Sequence, residues 1–230
     1  MSPILYEKTV AMFDLDGTLR KGNLDREFVI TCLGFFGGIC FFLKHFSMCI
    51  ESIRFNTERS YQHVFHHFFK GKNAQEMRDK SREFIMKKAK DTFHQDMMQR
   101  YQWHVQQGHE CIIISSSWTA HLIPYVKLKL GTPYVFGSEL EEVDGYLTGE
   151  FLGPSCNKEE KIKRLISVFG AKKNYLLYAY GDTYGDIAII DFADHGYYME
   201  KNQFIYNGKK AYPREKLLEH FPQTIGKGTT

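Results

Sequence analysis

The stretch VAMFDLDGTL, residues 10–19, decides how the rest of this 230-residue chain is arranged. Its first apolar residues have the length and composition of a buried strand, and Asp14, Asp16 and Gly17 follow at a sharp turn. In an open α/β sheet, ligands bind in the crevice at the carboxyl ends of the strands. We therefore expect both carboxylates to lie in an active site, where one can hold a metal ion and attack while the other moves a proton.

A similar acidic turn occurs in calcium-binding loops, and the spacing of the residues tests this alternative. An EF-hand loop requires the pattern D-x-[DN]-x-[DN]-G and a glutamate at its twelfth position. Counted from Asp14, the fifth, sixth and twelfth positions are Thr18, Leu19 and Asp25. The spacing therefore excludes an EF-hand.

Composition and charge narrow the classes of function. A chain that is 43% hydrophobic fits one domain with an insertion better than two equal domains. A formal net charge of +3 suits an anionic substrate, and we expect no nucleic-acid partner because that would call for a clustered basic face. No signal peptide is expected before the first strand, and the cysteines, which form no C-x-x-C pair, predict reduced packing residues in a cytoplasmic protein. They are Cys32, Cys40, Cys49, Cys111 and Cys156.

A mostly helical insertion is predicted between the first strand and the next. Within it, the run Phe28–Leu43 contains no charged residue and is rich in aromatic residues and glycine. Three interpretations remain open: a buried helix of an accessory domain, a peripheral membrane contact at the interface, and a true span, for which roughly 20 residues are needed. The expected division of the chain is a core of residues 1–22 and 91–205, a helical cap of residues 23–90 and a C-terminal tail of residues 206–230.

Two further apolar strands are predicted to end in polar side chains. Cys111–Ile114 leads into Ser115, and Asn174–Tyr180 leads into Asp182 and Asp186. Helical patterns separate the strands, which predicts a parallel sheet covered on both faces. Because the carboxyl ends of parallel strands meet at one edge, we expect these groups to converge with the acids of the first strand.

Paired acids, a hydroxyl and a lysine from a nearby helix form a coherent site for Mg²⁺ and a phosphoryl group. Magnesium prefers carboxylate oxygens and can bridge a nucleophile to a phosphate oxygen. The negative charge on the transferred oxygens calls for a hydroxyl donor and an ammonium. The pattern therefore predicts phosphoryl transfer from a phosphorylated substrate.

Four motifs in this order resemble those of the haloacid dehalogenase superfamily of phosphohydrolases. They are FDLDGTL at 13–19, IIISSS at 112–117, the lysine that opens K-x-x-x-L at Lys161, and GDTYGD at 181–186. The resemblance implies an α/β fold with a Rossmann-like parallel sheet and a helical cap inserted after the first strand. The place of the insertion is similar to that in subfamily IB, the phosphoserine-phosphatase-like subfamily, and VDGYLTGEF at 143–151 is similar to its group that contains phosphatidylglycerophosphatase C.

The resemblance also implies a role for each acid. Asp14 would attack phosphorus and become an aspartyl phosphate, and Asp16 would protonate the leaving oxygen and later activate water. Mg²⁺ would be held by Asp14, the backbone carbonyl of Asp16, Asp182 and Asp186, the last directly or through water. A competing interpretation of Asp186 is that it caps the helix that follows it.

Ser115 and Lys161 would bind the phosphoryl oxygens by the same resemblance. Ser116 or Ser117 could replace Ser115, although the first residue after the apolar run is favoured by geometry. Lys158 could replace Lys161, although only Lys161 opens the K-x-x-x-L register and the other lysines of the helix would point elsewhere.

Two departures from the subfamily argue against phosphoserine as the substrate. Phosphoserine phosphatases carry a glutamate shortly after the first motif, where this chain has Gly22, Asn23 and Leu24. The second motif continues Ser-Ser-Trp where the subfamily has Gly-Gly. Trp118 and the aromatic insertion suggest a larger or more apolar leaving group, such as a lipid phosphate, although aromatic residues in a cap are more often packing.

Two other classes of protein compete with a phosphatase. A non-catalytic phosphate or metal sensor of the response-regulator receiver type also uses Asp, Ser/Thr and Lys on a parallel sheet, but receivers have no acid at the position of Asp16. The second is a membrane-surface adaptor with a vestigial site, against which the complete set of motifs argues.

Overall fold

The computed structural model describes residues 8–44, 58–87, 89 and 92–220. The strands in this part of the chain are β1 Lys8–Phe13, β2 Glu110–Trp118, β3 Tyr134–Ser138, β4 Leu140–Val143, β5 Tyr146–Phe151, β6 Tyr175–Gly181, β7 His195–Met199, β8 Gln203–Tyr206 and β9 Lys210–Pro213. The helices are α1 Leu24–Lys44, α2 Glu58–Phe69, α3 Ala74–Lys87, α4 Gln95–Gln106, α5 Thr119–Lys129, α6 Glu159–Phe169 and α7 Ile187–Phe192.

A seven-stranded sheet has the order β3-β2-β1-β6-β7-β8-β9. The first five strands in this order are parallel, and β8 and β9 extend the sheet antiparallel. At the carboxyl end of β1, Phe13 pairs with Ile113 on one side and Tyr180 on the other. The predicted α/β fold with a mostly parallel sheet is therefore confirmed, and the ends of β1, β2 and β6 meet at one edge.

Both faces of the sheet are covered, as the continuous apolar strands require. Side chains alternate along β1, so Val10 and Met12 join one core cluster while Ala11 and Phe13 join the other, and all four have no exposed surface. Helix α6 covers the face that carries Val10 and Met12, through its residue Leu165. This burial fixes β1 in the middle of the sheet and with it the position of the acidic turn.

The inserted helices lie against the sheet through aromatic side chains. The ring centroids of Phe69 and Trp118 are 5.0 Å apart, and Phe28 stacks on Phe69 at 6.2 Å. Strands β4 and β5 form an antiparallel hairpin, and its Leu147 exchanges backbone hydrogen bonds with Gly71 and Lys72 of the insertion. Trp118 is thus a packing residue between the insertion and the sheet.

Helix α1 contains the uncharged run and is buried only at its beginning. Phe28 has no exposed surface, whereas Phe35 and Phe36 are 77% and 80% exposed. Gly34, at φ 63°, bends the helix between these two parts. Among the described helices, none combines the length and the apolar content that a transmembrane span requires.

The C-terminal segment differs from the expectation of a tail beginning at residue 206. Strand β9 pairs with β8 in the main sheet, and Leu217 is fully buried in the core. The guanidinium of Arg100 donates to the carbonyl of His220 at 3.0 Å and also to that of Leu217. The short polar strands gave too weak an apolar pattern to be predicted, and residues 221–230 of that expected tail lie outside the described residues. The other domain boundaries stay a prediction.

Candidate active site

The acidic turn after β1 is built around a close contact with the end of β6. Asp14 is 6% exposed, and Gly17 adopts φ +90°. A Cβ at Gly17 would collide with the carboxylate of Asp182, so both the backbone angle and the space require glycine. The hydroxyl of Thr18 donates to Asp182 Oδ1 at 2.7 Å. The turn therefore holds the carboxylate of Asp182 as well as Asp14 and Asp16.

Lys161 joins two of the acids from helix α6. Its Nζ donates to Asp14 Oδ1 at 2.7 Å and to Asp186 Oδ1 at 2.5 Å, and the residue is 2% exposed. Lys158, the alternative from the sequence, instead places its Nζ 5.5 Å from the ring centroid of Tyr184. The structure thus brings Lys161 to the acids.

Asp186 both closes a turn and faces the acidic cluster. Its Oδ2 accepts hydrogen bonds from the backbone N–H of Thr183 at 3.0 Å and from the Thr183 hydroxyl at 2.7 Å. The first of these bonds is one half of a capping box, in which the Thr183 side chain accepts the backbone N–H of Asp186 in return. Its other oxygen accepts from Lys161. The side chain of Asp186 makes no capping hydrogen bond to α7, the helix that follows it, so the alternative of a helix cap is not supported. Its two oxygens serve the turn before it and Lys161.

Asp16 is held by donors on both of its oxygens. Oδ1 accepts the backbone N–H of Leu24 at 3.0 Å, and Oδ2 accepts the hydroxyl of Ser117 at 2.6 Å. Arg20 places its Nη1 3.6 Å from Oδ1. Burial raises the pKa of Asp16 to about 6, with the hydrogen bond from Ser117 opposing. An acid with this pKa can exchange a proton near neutral pH.

Ser115 and Ser117 occupy different places at the end of β2. Ser115 is buried, and its Oγ accepts the backbone N–H of Ser117 at 3.2 Å, whereas the hydroxyl of Ser117 reaches Asp16. Strand β2 continues through Trp118 with a shift in its pairing to β3 after Ile114. The sequence indicated a cluster of hydroxyls here, but the contacts of Ser117, Leu24 and Arg20 with Asp16 were missed because they depend on turn geometry.

Burial is the main influence on the pKa values of the other site groups. It raises the pKa of Asp14 well above its usual range against the opposing charge of Lys161, and it raises the pKa of Asp182 to about 6. Burial also works against ionisation of Asp186, but the Lys161 ammonium outweighs it and lowers the pKa of Asp186. Burial likewise disfavours the charged form of Lys161, and Asp14 and Asp186 reverse this effect, so the Lys161 pKa is raised.

The acidic cluster fits a divalent cation. Asp14, Asp182 and Asp186 each offer one carboxylate oxygen, and these oxygens lie within 4.8 Å of one another. When ionised, three carboxylates and the ammonium of Lys161 leave two negative charges, and Mg²⁺ prefers oxygen ligands. These three acids could therefore hold Mg²⁺, with the backbone carbonyl of Asp16 as the further ligand that the sequence resemblance implies.

Mg²⁺ is expected to stabilise the protein through this cluster. At a concentration about 100 times its dissociation constant, a ligand adds about 2.7 kcal/mol to the free energy of unfolding, which would raise Tm by roughly 5 to 10 °C in a domain of this size. The rise should largely disappear in Asp182→Asn and persist in Asp191→Asn, which changes an exposed acid on α7. Thermal unfolding with and without Mg²⁺ measures it, and an equal rise in both variants would contradict this site.

Comparison with known proteins finds a matching family model and a related protein. A family model described as haloacid dehalogenase-like hydrolase matches residues 11–191. Protein CicA of Caulobacter vibrioides is 30% identical over 145 residues, which are 63% of this chain and 62% of CicA, so the match spans less than two thirds of that relative.

Solved structures share the fold at low sequence identity. A Bordetella pertussis Tohama I protein of unknown function superposes with a TM-score of 0.66 at 17% identity, over 80% of this chain and 86% of that one. A haloacid dehalogenase family hydrolase from Salmonella enterica serovar Typhi gives 0.58 at 18% identity, over 84% and 62% of the two chains. Phosphoserine phosphatase in its apo form gives 0.56 at 19% identity, over 82% and 84%. At these identities the likeness concerns the fold alone.

Proposed function

The chain belongs to the haloacid dehalogenase-like hydrolase family, and from this premise we propose that it is a Mg²⁺-dependent phosphatase that hydrolyses phosphomonoesters through an aspartyl phosphate on Asp14. One observation carries the proposal: the buried carboxylate of Asp14 lies 2.7 Å from the ammonium of Lys161, at the same sheet edge as Asp16. A receiver-like sensor would have no use for Asp16.

The first half of the reaction assigns the attack to Asp14. Its free carboxylate oxygen forms a bond to phosphorus while the bond between phosphorus and the leaving oxygen breaks. Lys161 keeps the other oxygen of Asp14 in place and offers positive charge to the phosphoryl oxygens, with Ser115 as the proposed hydroxyl donor. When bound, Mg²⁺ would neutralise the phosphoryl oxygens and favour the ionised form of Asp14.

Asp16 is the proposed acid and base. In its protonated form it gives a proton to the leaving oxygen. In the second half it takes a proton from a water molecule, whose oxygen attacks phosphorus. The bond between phosphorus and Asp14 then breaks, which releases inorganic phosphate and restores the Asp14 carboxylate. Its pKa of about 6 allows both states near neutral pH. Ser117 and Leu24 orient its two oxygens for this exchange.

Asp16→Asn tests the acid assignment. The first turnover of an alkyl phosphate such as glycerol phosphate is expected to slow by about 10²- to 10⁴-fold, because the alkoxide leaves poorly without a proton. The first turnover of 4-nitrophenyl phosphate should slow far less, because its leaving group needs no proton. Rapid-quench and stopped-flow measurements compare the two rates, with Asp79→Asn, an exposed change on α3, as the control. Equal losses for both substrates would show that Asp16 is not the acid.

The substrate class is proposed from what surrounds the site. The side chain of Asn23 accepts the backbone N–H of Arg26 at 2.8 Å and so caps α1, and it provides no carboxylate for a substrate amine. This contact supports the exclusion of phosphoserine. We place the chain in the phosphoserine-phosphatase-like subfamily on the position of its inserted helices, and within it near the group that contains phosphatidylglycerophosphatase C.

A second candidate, a lipid-phosphate phosphatase at a membrane surface, is favoured by helix α1. The part of α1 after Gly34 exposes Phe35, Phe36 and Leu43, and the side chain of Leu43 is 70% exposed. Lys44 is the last residue of the helix. Exposed aromatic residues beside a cation are typical of an interfacial helix. The helix begins at Leu24, whose N–H donates to Asp16, so the exposed phenylalanines and one donor to the acid lie on the same helix.

Binding to vesicles separates these two candidates. The double variant Phe35→Asp, Phe36→Asp is expected to weaken sedimentation with anionic phospholipid vesicles by at least about a hundredfold, since each buried phenylalanine contributes about 1.5–3 kcal/mol. Leu128→Asp, which alters an exposed leucine on α5, serves as the control. If wild type and the double variant sediment alike, a small soluble phosphate ester remains the proposed substrate.

A further inference from the structure

A buried acid and a buried histidine meet where the inserted helices begin. Asp25, in the first turn of α1, is 1% exposed, and His121, in α5, has no exposed surface. The carboxylate of Asp25 accepts a hydrogen bond from His121 Nε2 and another, at 3.0 Å, from the backbone N–H of Trp118. A buried carboxylate costs several kcal/mol unless it is paired in this way. The pair therefore fixes the start of α1 against α5 and the end of β2.

Two hydrogen-bond partners and two aromatic rings surround the imidazole of His121. A carboxylate only accepts hydrogen bonds, so Nε2 carries a proton, and Nδ1 faces the hydroxyl of Ser81 on α3 at 3.4 Å. The rings of Phe28 and Trp118 lie 5.2 Å and 5.7 Å from it. His121 thus has one orientation, which joins α1, α3 and α5.

The same two stretches of chain that meet at Asp25 also hold Asp16. Leu24, which precedes Asp25, donates its N–H to Asp16 Oδ1 at 3.0 Å. Ser117, which precedes Trp118, donates its hydroxyl to Asp16 Oδ2 at 2.6 Å. The bond from Trp118 to Asp25 therefore sets the distance between the two donors.

We propose that Asp25 and His121 are positioning residues for Asp16: they lock the beginning of α1 to the end of β2 so that Leu24 and Ser117 hold both oxygens of the acid. The inference rests on the proposed function, in which Asp16 protonates the leaving group. Loss of the hydrogen bond between Asp25 and His121 would leave Asp14 and Lys161 in place. It would displace only Asp16 and so impair the transfer of its proton to the leaving oxygen. A misplacement of about 1 Å can cost about a hundredfold in rate.

The experiment compares His121→Leu, which removes the donor, with His121→Gln, whose amide can still donate to Asp25. Two quantities are measured in the full-length protein. One is the rate of hydrogen exchange of the Leu24 amide by NMR, which does not depend on catalysis. The other is the first-turnover rate for glycerol phosphate and for 4-nitrophenyl phosphate with Mg²⁺. Tyr101→Phe, which removes a partly buried hydrogen bond to the carbonyl of Leu130, is the matched control.

In His121→Leu, we expect the Leu24 amide to exchange at least about tenfold faster and the alkyl phosphate to lose about ten- to a hundredfold in rate, with the aryl phosphate within about twofold of wild type. His121→Gln should recover most of the protection of the Leu24 amide and most of the rate for the alkyl phosphate. Tyr101→Phe should change neither quantity. If His121→Leu fails to fold, Asp25→Asn replaces it with the same expected direction.

Two results overturn the positioning role: equal losses for both substrates, or a Leu24 amide as protected as in wild type. A wild-type protein that hydrolyses neither ester would refute the proposed function instead. The Leu24 exchange rate would then decide the positioning by itself.

Discussion

Asp14→Asn is expected to lower the hydrolysis of every phosphomonoester by at least about a thousandfold, because an amide oxygen cannot form the covalent intermediate. The change keeps the volume of the side chain and an oxygen that can accept from Lys161, so the fold should persist. Activity on 4-nitrophenyl phosphate, which needs no proton on its leaving group, gives the most sensitive measurement. Covalent labelling gives a second measurement. After an acid quench, phosphate should remain bound to the wild-type protein and should be absent from the variant.

A matched control for this variant is Asp144→Asn. Asp144 lies in the β4–β5 turn at φ 50°, a conformation that asparagine adopts readily. Its activity should equal that of wild type. Retention of more than a few per cent of activity in Asp14→Asn would refute Asp14 as the nucleophile.

Lys161→Met is expected to reduce both stability and activity. Removal of one partner from a buried ion pair costs about 3–5 kcal/mol, because Asp14 and Asp186 would keep their burial without the ammonium. Loss of positive charge at the phosphoryl oxygens should lower kcat by about 10²- to 10³-fold. Urea unfolding and steady-state kinetics measure the two effects, in the absence and presence of Mg²⁺.

Lys158→Met is the control that the chain itself offers, three residues away on the chain. Its ammonium lies over the exposed ring of Tyr184 rather than between buried acids, so its removal should cost under about 1 kcal/mol and leave kcat nearly unchanged. A greater loss of activity in Lys158→Met than in Lys161→Met would assign the phosphate-binding lysine to Lys158.

The parts of the site that could be predicted are those on strand ends. Asp14 and Asp182 each follow an apolar run, and the parallel sheet brings the ends of β1 and β6 together whatever the intervening loops do. Lys161 was preferred because it opens the K-x-x-x-L motif of the family that the chain resembles, and because the other lysines of that helix were expected to point elsewhere. The predictions at the strand ends rest on apolar runs, which a single sequence displays directly.

The contacts that the sequence could not give are those made by backbone groups and by bends. The N–H of Leu24 reaches Asp16 only because the chain turns back after Gly17, and Asp25 meets His121 across 96 positions of the chain. The bend at Gly34 likewise decides which phenylalanines of α1 face the core. A histidine four residues after a serine cluster is equally compatible with a solvent-exposed helix, so its burial was invisible to pattern reasoning.

The central place of β1 has a consequence for biosynthesis. Among the strands that the structure describes, β1 is translated before the others, yet its two neighbours in the sheet are β2 and β6. Its apolar residues therefore stay without these neighbours until the chain as far as β6 has been made. At the usual speed of translation this delay is on the order of ten seconds. Long-range pairing of this kind slows folding and exposes aggregation-prone segments, so we expect the nascent chain to depend on chaperones until β6 has emerged.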